Sequence, residues 1–277
     1  MRRTVLLHSA HRDRFDLPDR DIVPFDRPID AERVSRITEA HLWAPPDGPL
    51  DGLPGMIGAM TPLRSLSIGP GRVLPGVVTG LRQGDLPDGL EDLSIHVGDR
   101  TLVWPDVRVP NLRALYVDAP FRFDPEHFPR LRSLSITPLR SFSNVLRALA
   151  LPLEELNLLT VPSGAAVFGF LEPTRIRRLG LLGGRSLRSL AGIEALPELE
   201  SLRLKNLSAL GDVSDLARLE RLEHLDIQYC SKLTDVGVVN DLPLLRSLTL
   251  VGCGDIGLPA IQRKLSGLER VRTGGSR

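Results

Sequence analysis

The sequence predicts an α/β solenoid: short parallel strands stacked side by side, each followed by a short helical or looped return. Three observations carry this. The pattern L-x-x-L-x-L recurs ten times, as "LRSLSI" at Leu63, "LEDLSI" at Leu90, "LRALYV" at Leu112, "LRSLSI" at Leu131, "LEELNL" at Leu153, "IRRLGL" at Ile176, "LESLRL" at Leu199, "LEHLDI" at Leu222, "LRSLTL" at Leu245 and "LERVRT" at Leu268. Successive starts lie 27, 22, 19 and 22 residues apart, then 23 residues apart five times running. Within the copies, apolar fourth and sixth positions, Thr273 of the last copy excepted, alternate with mostly polar third and fifth ones, as a strand with one buried face requires.

Taken in order, residues 1–36 fall outside the repeat and are expected to cap it, because a first coil otherwise exposes its apolar side. "ITEAHLW", Ile37–Trp43, reads as a degenerate first copy with Ala40 in place of leucine. The solenoid then occupies 37–277 with about ten to eleven units. One unit cannot bury its own apolar side, so neighbours must stack on it. About 17 residues separate successive strands, enough for a turn, a short helix and a return. Asp212–Leu222 reads as such a helix, capped by Asp212 or Ser214, and Leu258–Leu265 as another. These helices are expected to be longest and most regular after about residue 185, where the period is constant. Pro62, Pro110, Pro129, Pro152, Pro197 and Pro243 sit just before strands and end each return, since proline disfavours helix in the residue preceding it. Residues 85–130 break the rhythm. There "FRFDPEHFPRL", Phe121–Leu131, predicts an extended loop plugged with rings. After Val271, "TGGSR" reads as a frayed tail.

On this motif and period, residues 37–277 resemble the leucine-rich-repeat family, whose units run 20–29 residues. The resemblance implies a right-handed, curved leucine-rich-repeat solenoid, with a parallel sheet on the concave face and short helices or loops on the convex one. It also implies a protein-binding module or scaffold. Cys230 and Cys253 occupy the same slot 23 residues apart, and "CSKLTDVGV", Cys230–Val238, resembles the cysteine-containing subclass of these repeats. That resemblance implies sulfurs turned inward, near backbone amides of the turn.

Composition narrows the function classes. Hydrophobic residues make up 42% and aromatics 4%, so the core is aliphatic. Thirty-five basic against 34 acidic residues give +1, a balance that recruits neither nucleic acid nor an anionic membrane surface. The bias toward Arg, Ala, Gly, Asp and Pro over Lys points to a GC-rich bacterial genome. Two cysteines argue against a disulfide-stapled secreted scaffold. The apolar run Val5–Leu7 is too short for a secretory leader, and the expected setting is the cytoplasm. His8, His11, Asp13 and Asp16 lack metal-site spacing. No phosphate loop or nucleophile elbow is present. The expectation is therefore a non-enzyme without metal or cofactor, monomeric or bound to a protein or peptide partner. The rival readings are an accessory subunit or atypical enzyme, and a structural homo-oligomer.

The motif's second position is charged in every clear copy, from Arg64 and Glu91 to Arg246 and Glu269, and reads as a solvated flank. Third, fifth and seventh positions should face the concave side. Among them Glu155, Arg178, Arg203, Lys205, His224 and Asp226 are the candidate partner-binding residues, with Leu159 and Leu182 as an apolar spot.

Overall fold

The computed structural model describes residues 3–44, 50–71, 74–98, 100–161, 167–171 and 174–275. They gather into two compact units, Met1–Leu139 with Ala150–Pro152 and Arg140–Leu149 with Leu153–Arg277.

The first unit contains β1 (Thr4–Leu7), β2 (Ile22–Pro24), α1 (Ala31–Val34), β3 (Glu39–Leu42), β4 (Ser65–Ile68), α2 (Leu74–Thr79), β5 (Asp92–Ile95), β6 (Leu102–Val103), β7 (Ala114–Arg122) and β8 (Ser133–Thr137). Its strands are parallel in the order β2-β1-β3-β4-β5-β7-β8, with the short β6 beside the far end of β7. The second unit contains α3 (Ser143–Ala148), β9 (Glu155–Leu158), β10 (Arg178–Leu181), β11 (Ser201–Lys205), β12 (His224–Gln228), β13 (Ser247–Cys253), α4 (Gln262–Leu265) and β14 (Arg270–Gly275). Here each strand lies parallel to the next in chain order.

Register follows the motif position by position. Leu66 faces Leu93, Leu179 faces Leu202, and Leu225 faces Leu248. A slip of one residue would turn each apolar row to solvent. The row is accordingly shut away: fourth-position leucines from Leu66 to Leu248 are at most 2% exposed. The degenerate copy holds too, with Ala40 opposite Leu66 and 0% exposed.

The N-terminal segment adds strands that the repeat pattern did not foresee. Val5–Leu7 forms most of β1, which pairs with β3 on one side and β2 on the other. Val5, Leu7 and Ile22 make a buried cluster against which Phe15 and Trp43 pack.

The returns correct one expectation. The six-residue helices α2 and α3 lie before residue 185. Beyond it the described returns are 3-10 turns, Ile193–Ala195, Ser214–Arg218, Gly237–Asp241 and Leu258–Ile261, plus the four-residue α4. They are regular but not long. The reason is an apolar spacing of three: Leu190, Ile193, Leu196, Leu199, then Val213, Leu216, Leu219, Leu222, then Val236, Val239, Leu242, Leu245, all buried. Three residues per turn is the 3-10 period, and an α-helix would rotate this row away from the core. Asp212 accepts a hydrogen bond from the Ser214 N–H at 2.8 Å, fixing the entry to one such turn.

Residues 85–130 hold the expected plug of rings. Phe121, Phe123 and Phe128 are buried with Trp104, with centroid separations of 5.1 Å for Phe121–Phe123 and 5.1 Å for Trp104–Phe128. The buried indole N–H donates to the Val107 carbonyl at 2.9 Å. The expected frayed tail is instead strand as far as Gly275; Ser276 and Arg277 lie outside the described residues.

Candidate functional site

Parallel pairing turns third, fifth and seventh positions to the solvent side of each sheet. In the second unit this makes three rows. The third-position row runs Glu155, Arg178, Ser201, His224, Ser247, Arg270, and the fifth-position row runs Asn157, Gly180, Arg203, Asp226, Thr249, Arg272. In the seventh-position row Lys205, Gln228, Val251 and Gly274 stand opposite one another in turn. All six candidate residues therefore stand on one side of the second unit.

Four of the six engage each other. The Arg178 Nε–H donates to Glu155 Oε2 at 3.1 Å, and Arg203 Nε lies 3.3 Å from Asp226 Oδ2. Gln228 Nε2 also donates to Asp226 Oδ1 at 2.8 Å. Lys205 and His224 form no ion pair among the described residues. Half-exposed pairs of this kind contribute at most about 1 kcal/mol each; toward β14 the same rows carry Arg270 and Arg272, which like Lys205 form no ion pair among the described residues. The flank behaves as expected: Arg64 reaches Glu91 at 3.7 Å, Arg177 bonds Glu200, and Arg246 sits between Glu223 at 3.5 Å and Glu269 at 3.7 Å.

A residue that the sequence reading passed over lies just past the end of β12. Tyr229 follows Gln228, the register partner of Lys205, and is 51% exposed with φ of 55°. The equivalent residues one period before and after are Asn206 with φ 54° and Gly252 with φ 64°. Asparagine and glycine adopt this left-handed geometry readily, whereas a bulky side chain there is an outlier. The ring is held over Gly252, where an added Cβ would come 2.5 Å from Tyr229 Cδ1. The signal was present in the sequence: a tyrosine in a slot whose neighbours are Asn and Gly.

The thiols are structural. Cys230 and Cys253 are free and buried, with Sγ atoms 3.6 Å from the Gln228 carbonyl and 3.7 Å from the Ile227 carbonyl respectively. Burial pushes the Cys230 thiol up to about 11, with the Leu207 N–H opposing and Cys253 adding to the rise; burial raises Cys253 as well. Because the folded value lies above the unfolded one, the stability that protonated Cys230 contributes is present below about pH 9 and is lost as pH rises toward 11. Native protein at pH 8 should therefore resist a thiol reagent that labels both cysteines fully in urea. Rapid native labelling of either would contradict this placement.

The first unit carries a denser cluster. His41 Nδ1 lies 3.0 Å from the Ser67 hydroxyl, and the His96 ring packs on Tyr116 at 4.9 Å and approaches Asp118 at 3.8 Å. A serine beside a histidine invites a nucleophile reading, but the surroundings oppose it. Burial, then the charges of Arg3 and His96, push His41 down to about 4. A general base in such a pair needs its imidazolium stabilised, and here the neighbouring charges are of the wrong sign. At the N-terminus, His8 reaches Asp26 at 3.5 Å while His11 and Phe15 pack on the Trp43 ring. Among the described residues no group of three or more His, Cys, Asp or Glu could hold a metal ion, and no helix is long and apolar enough to cross a membrane.

In-register repeats of about 23 residues, one parallel strand each, with the leucine row inside, define a leucine-rich-repeat solenoid. No protein-family model and no curated protein matches this sequence. Solved structures similar to it include an internalin from Listeria monocytogenes, at 12% identity over 90% of this chain and 85% of that one, TM-score 0.44. A leucine-rich-repeat protein of Leptospira interrogans is 16% identical over 90% and 82%, TM-score 0.48. The functional domain of InlJ from Listeria monocytogenes, which includes a cysteine ladder, is 13% identical; 91% of this chain matches 56% of that one, TM-score 0.42.

Proposed function

We propose that the protein is a non-enzymatic binding module that holds a protein or peptide partner on the solvent side of the second unit's sheet, around Tyr229 and Lys205. The observation that carries this is Tyr229 itself: a half-exposed ring in a backbone conformation that its equivalents meet with Asn and Gly. Strained, exposed residues concentrate at functional positions, and tyrosine is among the side chains that dominate binding energy. Lys205, which forms no ion pair among the described residues, supplies a charge on the neighbouring strand, and the Glu155–Arg178 and Arg203–Asp226 pairs stand on the same side. A preordered face loses little side-chain freedom on association. Two unpaired, buried cysteines support a cytoplasmic setting.

The partner is identified by affinity capture from the organism of origin and its binding measured by calorimetry. Arg203→Glu with Lys205→Glu should weaken it about tenfold or more and flatten its salt dependence, leaving the fold intact. Lys205→Glu alone should give most of the loss, because Arg203 is already paired. Reversing Arg246 and Glu269 on the flank should change affinity less than threefold, about 0.6 kcal/mol. Equal effects from the two reversals would place binding elsewhere.

A further inference from the structure

Three arginines of the N-terminal segment line one cavity. It measures about 280 Å³ and opens between the ends of β1 and β2, the 3-10 turns Ser9–Arg14 and Asp19–Asp21, and the start of α1. Arg12, Arg27 and Arg33 share the lining with the carboxylates of Asp19 and Asp30, so three positive charges face two negative ones. One cation is left in excess.

The carboxylates are already engaged. Arg12 bonds Asp19, and Asp30 accepts from the Glu32 N–H at 3.0 Å as the cap of α1. Asp26, outside the lining, is held by Ser9. Arg33 is placed by different partners: its Nη2 donates to the Asp19 carbonyl at 2.7 Å and to the Ile22 carbonyl at 2.5 Å. Neutral carbonyls aim the guanidinium without cancelling its charge, and its other N–H groups remain for an acceptor. Among the described residues the Arg27 guanidinium forms neither an ion pair nor a hydrogen bond, and Arg33 forms no ion pair. The rest of the wall is apolar, from Leu7, Ile22, Pro24, Pro28 and Ile29. The Phe25 N–H donates to the Leu7 carbonyl at 3.2 Å, which ties the loop carrying Arg27 to β1. Pro24 and Pro28 fix φ on either side of Arg27, so this loop has little freedom left to lose on binding.

We propose that the cavity binds a small organic anion with one carboxylate head and a compact apolar body. The head would sit against Arg27 and the remaining N–H groups of Arg33, since a guanidinium fork matches the two oxygens of a carboxylate. The single excess charge suits a monocarboxylate better than a dianionic phosphate. At the ~30 Å³ that one water occupies in the liquid, the cavity holds about nine non-hydrogen atoms, the size of benzoate. The site is independent of the face around Tyr229.

The test titrates the isotope-labelled 277-residue protein with benzoate and follows its amide and arginine side-chain signals by NMR. Benzoate should shift signals within residues 7–33 saturably, and salt should weaken the response. Benzyl alcohol lacks the charge and acetate lacks the apolar body; each should bind at least about tenfold more weakly. Phenyl phosphate should also bind more weakly than benzoate. Arg27→Gln should weaken benzoate about tenfold, the loss of one charge-assisted bond, with an unchanged melting transition. Arg36→Gln removes the same charge outside the lining, where Arg36 pairs with Glu32, and should change affinity less than about threefold. Absence of a saturable response to benzoate would overturn the proposal. So would equal binding of benzyl alcohol or acetate, or tighter binding of phenyl phosphate. Equal losses in the two arginine variants would reduce the effect to diffuse attraction and overturn it as well. Neither variant touches Tyr229 or Lys205, so failure here leaves the face reading standing.

Discussion

Truncating Phe128 to alanine is expected to destabilise the first unit by about 3–5 kcal/mol, the largest single effect a side chain of this region should produce. The ring is 0% exposed and lies between Trp104 at 5.1 Å and Phe123 at 5.8 Å. Both lost transfer energy and an unfilled cavity contribute, since β6 and β7 fix the walls and the Trp104 indole is tied by its bond to Val107. Urea unfolding followed by tryptophan fluorescence would measure it. Val103→Thr on neighbouring β6, where the side chain is 51% exposed, should shift stability by no more than about 0.5 kcal/mol. A loss under 1 kcal/mol at Phe128 would mean that the rings fill space without supporting the irregular repeats.

Where the sequence was legible, it was because a physical constraint repeats. Leu66, Leu93 and Leu225 each have to face inward at the same register, so period and burial could be read together. The returns were misread because helical propensity drew attention to "DVSDLARLERL", while the spacing of Val213, Leu216, Leu219 and Leu222 already spelled the tighter turn. β1 and β2 were missed because each is a single short apolar run with no partner copy to align. At the candidate surface, motif position placed Glu155, Arg178, Arg203, Lys205, His224 and Asp226 on one side, but not which charges neutralise each other. Arg203 meets Asp226 across one strand spacing, a geometric fact that composition along the row does not encode. Tyr229 escaped because its significance lies in a backbone angle, visible in the sequence only through Asn206 and Gly252.

Tyr229→Asn should separate stability from binding by moving them in opposite directions. The backbone here is fixed by the repeat, since the Tyr229 N–H donates to the Val251 carbonyl at 2.8 Å just as the Asn206 N–H donates to that of Gln228 at 3.0 Å. Left-handed geometry costs an ordinary side chain roughly 1–2 kcal/mol, and asparagine largely escapes it. The substitution forfeits the ring's contact with Gly252, but the ring is half in water, so a net gain of about 0.5–1 kcal/mol is expected in urea unfolding. Affinity for the captured partner should fall by at least about 2 kcal/mol, roughly thirtyfold, if the ring is the anchor of the interface. Tyr229→Phe tests what the anchor uses: full retention of affinity assigns the effect to ring area, and partial loss assigns a share to the hydroxyl. A variant that loses stability and binding together would show that the tyrosine is held for packing, and the surface around Lys205 would then have no anchor to organise it.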